Sequence, residues 1–303
     1  MTEPGADKLI HATRFDQAPG EVVQVSPRVR RIVEDNPGPF TFTGTCTYLV
    51  GRGAVTVIDP GRESAPHLDA ILAALKGERV AQILVSHTHK DHSPGARALA
   101  ARTGAPILGC APYTPKPGAQ PGLDSAHDRA YAPARVLNDG ERVEGDDHTL
   151  TAVATPGHAA NHLAFALEEE RALFSADHVM AWATTIVAPP DGSMRDYMAS
   201  LDRLRARADV VYWPGHGGPV NDPQRYVRAL RHHRRQREAA ILTRLEAGDR
   251  TVPTMVARIY EGLDPRLAQA AGLSLLAHLE DLAERGVVLI GGPLTMESEY
   301  RLA

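Results

Sequence analysis

The sequence has few cysteines and no long apolar run, and each absence excludes a class of protein. Only Cys46 and Cys110 are present, which is too few for a framework of disulfides. No apolar stretch approaches the roughly 20 residues that a membrane-spanning helix needs, and the first residues lack the basic and then apolar pattern of a secretory signal. We therefore predict a cytoplasmic protein with no membrane partner.

An excess of positive charge is also missing. The chain has 33 basic and 37 acidic residues among 303, and its net charge of −4 at pH 7 gives no overall attraction to nucleic acid. Lysine occurs at only four positions, and this preference for arginine beside abundant alanine is typical of genome composition rather than of a binding surface. The length suits one large domain, or a large and a small one.

One short stretch carries an unusual density of metal-ligand residue types. Three imidazoles and one carboxylate, those of His87, His89, Asp91 and His92, lie within six residues. The stretch follows residues 80–86, an aliphatic run that predicts a buried strand, and precedes a Ser-Pro-Gly sequence typical of a helix start. His87 and His89 point to the same side of an extended backbone, while the other two face a second position. A chance cluster in a polar loop is the alternative, but the pattern favours a metal site with room for two ions.

Further candidate ligands come where later predicted strands end. His158 follows the strand predicted over 148–154, Asp177 follows residues 172–176, and His216 follows residues 210–213. Ligands on consecutive strand ends converge at one edge of a packed pair of sheets. We therefore expect these side chains to meet the first cluster.

Together these motifs resemble the metallo-β-lactamase-fold superfamily of hydrolases, over about residues 20–222. The resemblance implies an α/β fold, an αββα sandwich with the metals at one rim. It also implies two Zn²⁺ ions, which suit imidazole and carboxylate ligands, although iron or manganese would be compatible. The implied ligands are His87, His89 and His158 for one ion, Asp91, His92 and His216 for the other, and Asp177 as a bridge between them.

The expected chemistry follows from such a pair of ions. A water bridging two dications is deprotonated near neutral pH, and the resulting hydroxide can attack a carbonyl or phosphoryl group that the metals polarise. Asp91 is the candidate catalytic residue, because it could hold this hydroxide and pass a proton to the leaving group. Simple ligation is its alternative role, and the two roles are compatible.

Three further polar residues are candidates for supporting roles around the ligands. Asp59 ends an early predicted strand, where it could orient a ligand histidine or only serve an Asp-Pro-Gly turn. His162 is expected to hydrogen-bond locally. His178 could touch substrate, although the neighbour of a ligand on an extended segment usually points away. The other histidines are expected to be ordinary surface or helix residues: His11, His67, His127, His148, His232, His233 and His278.

The rest of the first 222 residues is predicted to be rich in strands. Residues 112–128 predict a long loop, which together with Trp182 and Tyr197 could line the substrate cleft. Cys46 stands where similar proteins carry asparagine, so a polar contact could be lost there. The remaining predictions are an irregular lead-in over 1–20, strands over 22–25, 29–33, 40–50, 54–58, 134–137 and 163–167, and a helix over 66–75.

The character of the sequence changes near residue 223. Helices followed by a hairpin resemble a winged helix, so we predict a catalytic domain over 1–222 and a winged-helix-like domain over 223–303. With this domain, nearly the whole chain resembles the lactamase-β-like group that includes mitochondrial endoribonucleases. One helix is predicted over 225–245, a second begins at a cap at Thr251, and a third is predicted over 265–285. Strands are predicted over 287–290 and 296–302.

A winged helix suggests a nucleic-acid partner, but the charges disagree. Arg228, Arg231 and Arg235 share a helix face, which would suit phosphate. The last predicted helix carries Asp281 and Glu284, beside Glu280, and these repel phosphate. We favour a domain that closes one wall of the cleft or builds a homodimer.

The sequence thus leads to three hypotheses about function. The leading hypothesis is a dinuclear zinc hydrolase of a small-molecule ester, thioester, lactone or related acyl substrate. The second is an endoribonuclease that cleaves single-stranded RNA with the same metals. The third is a winged-helix regulator with a metal-sensing core, which the complete set of seven ligands argues against.

Overall fold

Two β-sheets pack face to face at the centre of the molecule, in a computed structural model that describes residues 9–115 and 126–303. The first sheet has seven strands in chain order, antiparallel from β1 to β4 and parallel from β4 to β7. Its strands are β1 (Val22–Ser26), β2 (Val29–Val33), β3 (Cys46–Val50), β4 (Ala54–Ile58), β5 (Arg79–Val85), β6 (Ile107–Gly109) and β7 (Arg135–Val136).

The second sheet has five strands in the order β12-β11-β10-β9-β8. Only β11 and β12 pair in parallel, and the other neighbours are antiparallel. The strands are β8 (Arg142–Glu144), β9 (Thr149–Ala154), β10 (Leu163–Leu167), β11 (Ala172–Ala176) and β12 (Val211–Pro214).

Apolar side chains join the sheets and their covering helices. Leu49 on β3 and Phe165 on β10 belong to one buried cluster, together with side chains of α1 (Ala65–Leu75) and α2 (Pro94–Thr103). The other face of the second sheet is covered by α3 (Met194–Arg205), whose Leu201 and Leu204 are fully buried. The result is helix, sheet, sheet, helix, which confirms the predicted αββα sandwich.

The remaining elements form a group that we call the C-terminal domain. It comprises three helices and a hairpin with their own apolar core, which includes Ile241, Leu279 and Tyr300. Helices followed by a hairpin confirm the predicted winged-helix arrangement. Its elements are α4 (Pro223–Glu246), α5 (Val252–Ile259), a 3₁₀ turn (Pro265–Leu267), α6 (Ala268–Glu284), β13 (Val288–Ile290) and β14 (Tyr300–Leu302).

Some predicted elements are wrong in extent. The strand predicted over 40–50 begins only at Cys46, because Phe42 and Gly44 take φ values of 56° and 141°, which break an extended backbone. The last strand is shorter than 296–302. The helix α3 and the short strands β6 and β8 had no counterpart among the predictions. Residues 116–125 of the predicted long loop and residues 1–8 of the lead-in lie outside the described residues.

Among the described residues, no helix combines the length and the apolar character that crossing a membrane would require.

Candidate metal centre

The seven candidate ligands meet at one edge of the sandwich, where four strands end. The segment from His87 to His92 follows β5, and His158 follows β9. Asp177 follows β11 directly, and His216 follows β12. The seven side chains fall into two groups, and within each group the ligand atoms lie within 4.8 Å of one another.

The first group consists of His87, His89, His158 and Asp177. His89 Nδ1 lies 3.0 Å from His87 Nε2 and 3.0 Å from His158 Nε2. His158 Nε2 lies 3.6 Å from Asp177 Oδ2. Ligands at about 2.1 Å from a tetrahedral zinc ion are about 3.4 Å apart, so these spacings suit one ion.

The second group consists of Asp91, His92, His216 and Asp177. His216 Nε2 lies 3.3 Å from Asp91 Oδ2 and 3.4 Å from Asp177 Oδ1. His92 Nε2 lies 3.3 Å from the same oxygen of Asp177. Asp177 therefore turns one carboxylate oxygen to each group, as a bridging ligand would.

Hydrogen bonds from the outer ring nitrogens orient three of these histidines. His158 Nδ1 donates to the carbonyl oxygen of Ile186 at 2.7 Å, and His216 Nδ1 donates to a backbone carbonyl at 3.2 Å. His92 Nδ1 lies 3.0 Å from Asp59 Oδ2, which is the contact that the orienting role predicted for Asp59 requires. The inner nitrogen of each ring is thereby left to face the other ligand atoms.

Three inner atoms have no hydrogen-bond partner in the part of the chain that the structure describes. They are His92 Nε2, His216 Nε2 and Asp177 Oδ1, and all three are buried. Buried polar atoms are nearly always satisfied, because an unmet one costs free energy. A divalent cation would satisfy all three together, so the residues present fit a metal.

The electrostatics of the two groups differ. Burial, with His158 nearby, lowers the pKa of His89 to about 3, so its ring is neutral and its lone pair is available. Burial alone would lower the pKa of His216, but the carboxylates of Asp177 and Asp91 raise it to about 9. The second group therefore already stabilises positive charge, which a cation would supply in place of the proton.

Comparison with known proteins shows the family. The model of the metallo-beta-lactamase superfamily matches residues 40–216, which is more than half of the chain. The chain belongs to this superfamily. It is a hydrolase of the metallo-β-lactamase fold, and the model of the beta-lactamase associated winged helix domain matches residues 251–292.

Several known proteins are similar to most of the chain. Lactamase-like protein adaB of Aspergillus niger is 31% identical over 283 residues, which cover 87% of this chain and 83% of that protein. Atrochrysone carboxyl ACP thioesterase of Passalora fulva is 35% identical over 253 residues, covering 79% and 70%. The crystal structure of a beta-lactamase domain protein from Burkholderia ambifaria has a TM-score of 0.77 at 24% identity, covers 95% and 96%, and shows the same fold.

A cleft of about 590 Å³ opens at the ligands, and both domains line it. His89, Asp91 and His158 form part of its floor. The C-terminal domain contributes side chains such as Gln269 and Leu273, so it closes one wall of the cleft.

His127 is a buried residue of the cleft, so the prediction that it is an ordinary surface or helix residue is wrong. Its Nε2 lies 3.4 Å from Asp191 Oδ2, and its ring stacks on Tyr113 with 3.8 Å between centroids. With His89 and Asp191 it forms a third group of possible ligands. No local motif surrounds it, so only the fold brings it to the cleft.

The same prediction is wrong for His148, a buried residue outside the helices that contacts Thr56.

The structure places four further side chains near the centre. His162 Nδ1 lies 2.8 Å from Thr155 Oγ1, which is the local hydrogen bond expected of it. His178 is buried beside Tyr197, with 4.6 Å between their rings, and it does not line the cleft. Tyr197 is fully buried, so the prediction that it lines the cleft is wrong. Trp182 lines a smaller neighbouring cavity instead.

Proposed function

We propose that the chain is a dinuclear zinc hydrolase of small acyl substrates, with thioesters first among them. The observation that carries this proposal is the pair of ligand groups that share Asp177. Imidazole and carboxylate ligands suit zinc, although iron and manganese remain compatible with them. The proposed ligands are His87, His89, His158 and Asp177 for one ion and Asp91, His92, His216 and Asp177 for the other.

Two bound dications would polarise a carbonyl oxygen and lower the pKa of water to near neutrality. The residues of the chain would position the substrate and move the proton. Asp91 is suited to the second task, because its side chain is 26% exposed at the cleft while those of His92 and His216 are fully buried. Its carboxylate would accept a proton from the attacking water and deliver it to the leaving group.

The cleft suits an acyl group. Phe40, Met180, Ile186 and Leu273 give its walls an apolar surface. Several similar proteins are named as thioesterases, including one that is 31% identical over 229 residues. These two facts support a thioester over a polar substrate.

Cleavage of RNA is the second candidate, and one observation favours it. Arg62, Lys90 and Arg266 also line the cleft and would attract phosphate on RNA as well as on a phosphorylated thiol carrier, although Arg62 already pairs with Glu34 and Arg266 with Asp264, each at 2.7 Å. On the arginine face of α4, Arg231 is likewise paired, with Asp202 at 2.8 Å. A metal-sensing regulator has no support beyond the presence of the winged helix.

Hydrolysis of thioesters and lactones by the zinc-loaded protein, beside cleavage of single-stranded RNA, tests the proposal. We expect thioester hydrolysis, and a loss of about 10²- to 10⁴-fold in kcat for Asp91→Ala, since a general acid and base contributes that much. The matched control is Asp146→Ala. It removes a carboxylate that is 66% exposed and that pairs with Arg79 rather than with a candidate ligand. Cleavage of RNA alone would transfer the proposal to the second candidate, and turnover of neither substrate would overturn both.

Three further expectations stay predictions. They are the cytoplasmic location, the possible homodimer and the division into domains at residues 222 and 223. The start of α4 at Pro223 supports the last of these.

A further inference from the structure

A second, smaller cavity adjoins the cleft at the junction with the C-terminal domain. Its volume is about 200 Å³, which is room for about six waters or a small organic group. The two cavities are neighbours, because they share the lining residues Phe40, Met180, Ile186 and Ala270.

Arg234 of α4 lines this cavity and has no anionic partner among the described residues. The residue is only 3% exposed, yet no carboxylate lies within ion-pair distance of it in the described parts of the chain. One nitrogen, Nη2, donates to the carbonyl oxygen of Thr185, and Nε is buried with no partner. The guanidinium also lies over the ring of Tyr197, 5.0 Å from its centroid.

The side chains around Arg234 do not neutralise its charge. The described residues that line the cavity include one further basic side chain, His233, and no acidic one. By contrast Arg30, which is buried to a similar degree, pairs with Glu78 at 2.6 Å. A buried guanidinium without a counterion is unfavourable, so a cavity at its surface is suited to an anion.

The backbone connects this arginine directly to the metal centre. Arg234 binds the carbonyl oxygen of Thr185, and the next carbonyl, that of Ile186, accepts the hydrogen bond from the candidate ligand His158. A short acyl chain whose carbonyl lies at the metal centre could therefore extend past Ile186 toward Arg234.

We propose that Arg234 binds a carboxylate at the far end of the acyl group, so that the enzyme prefers thioesters of dicarboxylic acids. This inference rests on the proposed thioester hydrolysis. It names the chemical class of the acyl group, which the metal centre alone does not select.

The test compares two thioesters that differ only in the terminal carboxylate. Glutaryl and pentanoyl thioesters of N-acetylcysteamine are suitable, because their acyl chains have equal length and their thiol carries no charge. We expect the wild type to favour the glutaryl thioester in kcat/KM by roughly ten- to a hundredfold, the range for one charged hydrogen bond. In Arg234→Gln this ratio should fall toward one, while Arg234→Lys should keep part of it.

Arg235→Gln is the matched control, because it makes the same change at an exposed position next to Arg234 on α4. It should keep the wild-type ratio. Pentanoyl hydrolysis without any preference for the glutaryl thioester would overturn the inference. So would an equal loss on both thioesters in Arg234→Gln, which marks an arginine with a purely structural role.

A binding measurement separates this inference from the proposed function. Glutarate should raise the melting temperature of the wild type and of Arg235→Gln more than that of Arg234→Gln, and more than equimolar inorganic phosphate does. If neither thioester is hydrolysed, the proposed function fails, and the glutarate measurement still decides whether Arg234 binds a carboxylate. Equal stabilisation by phosphate would indicate a general anion site and overturn the assignment to substrate.

Discussion

Asp177 is the residue on which the two ligand groups depend, because each of its carboxylate oxygens faces a different group. Oδ1 lies 3.3 Å from His92 Nε2, and Oδ2 lies 3.6 Å from His158 Nε2. The residue before it, Ala176, has a φ of 42°, a left-handed conformation that costs a non-glycine residue about 1 kcal/mol or more. This turn directs Asp177 out of β11 and into the centre, so the strain accompanies the placement of the bridging side chain.

Substitution of Asp177 should therefore affect both metals, whereas substitution of a ligand in one group should affect one. We expect about two transition-metal equivalents in the wild type. Asp177→Ala should lose most of both, and His89→Ala should lose most of one. Elemental analysis after dialysis against metal-free buffer measures this, with Asp146→Ala as the control. Full metal content in either ligand variant would contradict the assignment.

The element that supports the first ligand segment is α2. Its Gly95 packs against the backbone that follows Asp59, and Gly95 N donates to Gly61 O at 2.8 Å. A Cβ at position 95 would lie 2.5 Å from the carbonyl oxygen of Pro60 and 2.8 Å from that of Arg62. Only glycine allows this close approach, which fixes the position of α2 relative to the loop that follows Asp59.

Gly95→Ala should push α2 away from that loop and so disturb the contact between Asp59 and His92. We expect zinc to bind about 10- to 100-fold more weakly, as when an orienting partner of a ligand is lost, and the melting temperature to fall. Gly291→Ala is the control, because the nearest atom to its Cβ, Glu299 O, is 3.4 Å away. A zinc affinity equal to that of the control would show that α2 does not support the site.

Helix α6 carries a titratable side chain in the core of the C-terminal domain. His278 is 3% exposed, and neither ring nitrogen has a hydrogen-bond partner in the described residues. Burial, with Arg234 nearby, lowers the pKa of His278 from its ordinary value of 6.5 to about 3. The ring is therefore neutral in the folded protein across the range in which it would take up a proton when unfolded.

This depressed pKa gives a pH dependence of known sign. The effect of His278 on the free energy of unfolding is constant above pH 6.5. As the pH falls from 6.5 toward 3, this residue lowers the free energy of unfolding, because the unfolded chain gains a proton that the folded chain does not. The slope is at most about 1.4 kcal/mol per pH unit for one group. Urea unfolding at pH 7, 6 and 5 should show a shallower decline in His278→Leu than in the wild type and in the control His232→Leu. Parallel declines in all three would contradict the prediction.

At the scale of the whole molecule, the C-terminal domain is held against the sandwich where it forms the cleft wall. Arg195 of α3 pairs with Asp281 at 3.3 Å and with Glu284 at 2.8 Å, and both acids lie on α6. The acidic face of α6, which repels phosphate, therefore joins the two domains. Partly exposed pairs of this kind contribute little stability each, and together these two join α3 to α6.

The wall should consequently influence substrate binding more than chemistry. Leu273→Ala removes apolar surface from the cleft, and we expect KM for an acyl thioester to rise several-fold, with about 0.8 kcal/mol lost per methylene that the substrate no longer contacts. Metal content and kcat should change little. Leu289→Ala, at a leucine that is 44% exposed in the same domain, is the control. A KM equal to that of this control would mean that the wall does not contact the acyl group.

The sequence by itself determined most of the longer strands, the fold class and the family. Aliphatic runs such as Val80 to Val85 record burial in neighbouring positions, and a histidine or aspartate after such a run marks the end of a strand. Because those ends share one edge of the sandwich, the local pattern was enough to predict which seven side chains would meet. The winged helix was predictable for the same reason, since its helices and hairpin each have a local periodicity.

Only the tertiary structure decided what surrounds the ligands. The short strands β6 and β8 carry too few residues for a clear alternation, and nothing near His127 in the sequence connects it with Asp191, 64 positions away. The second cavity and the surroundings of Arg234 depend on α4, α6 and the segment after Asp177 packing together. A linear sequence records how each segment is buried, but contacts between distant segments arise from packing, and these contacts form the cleft.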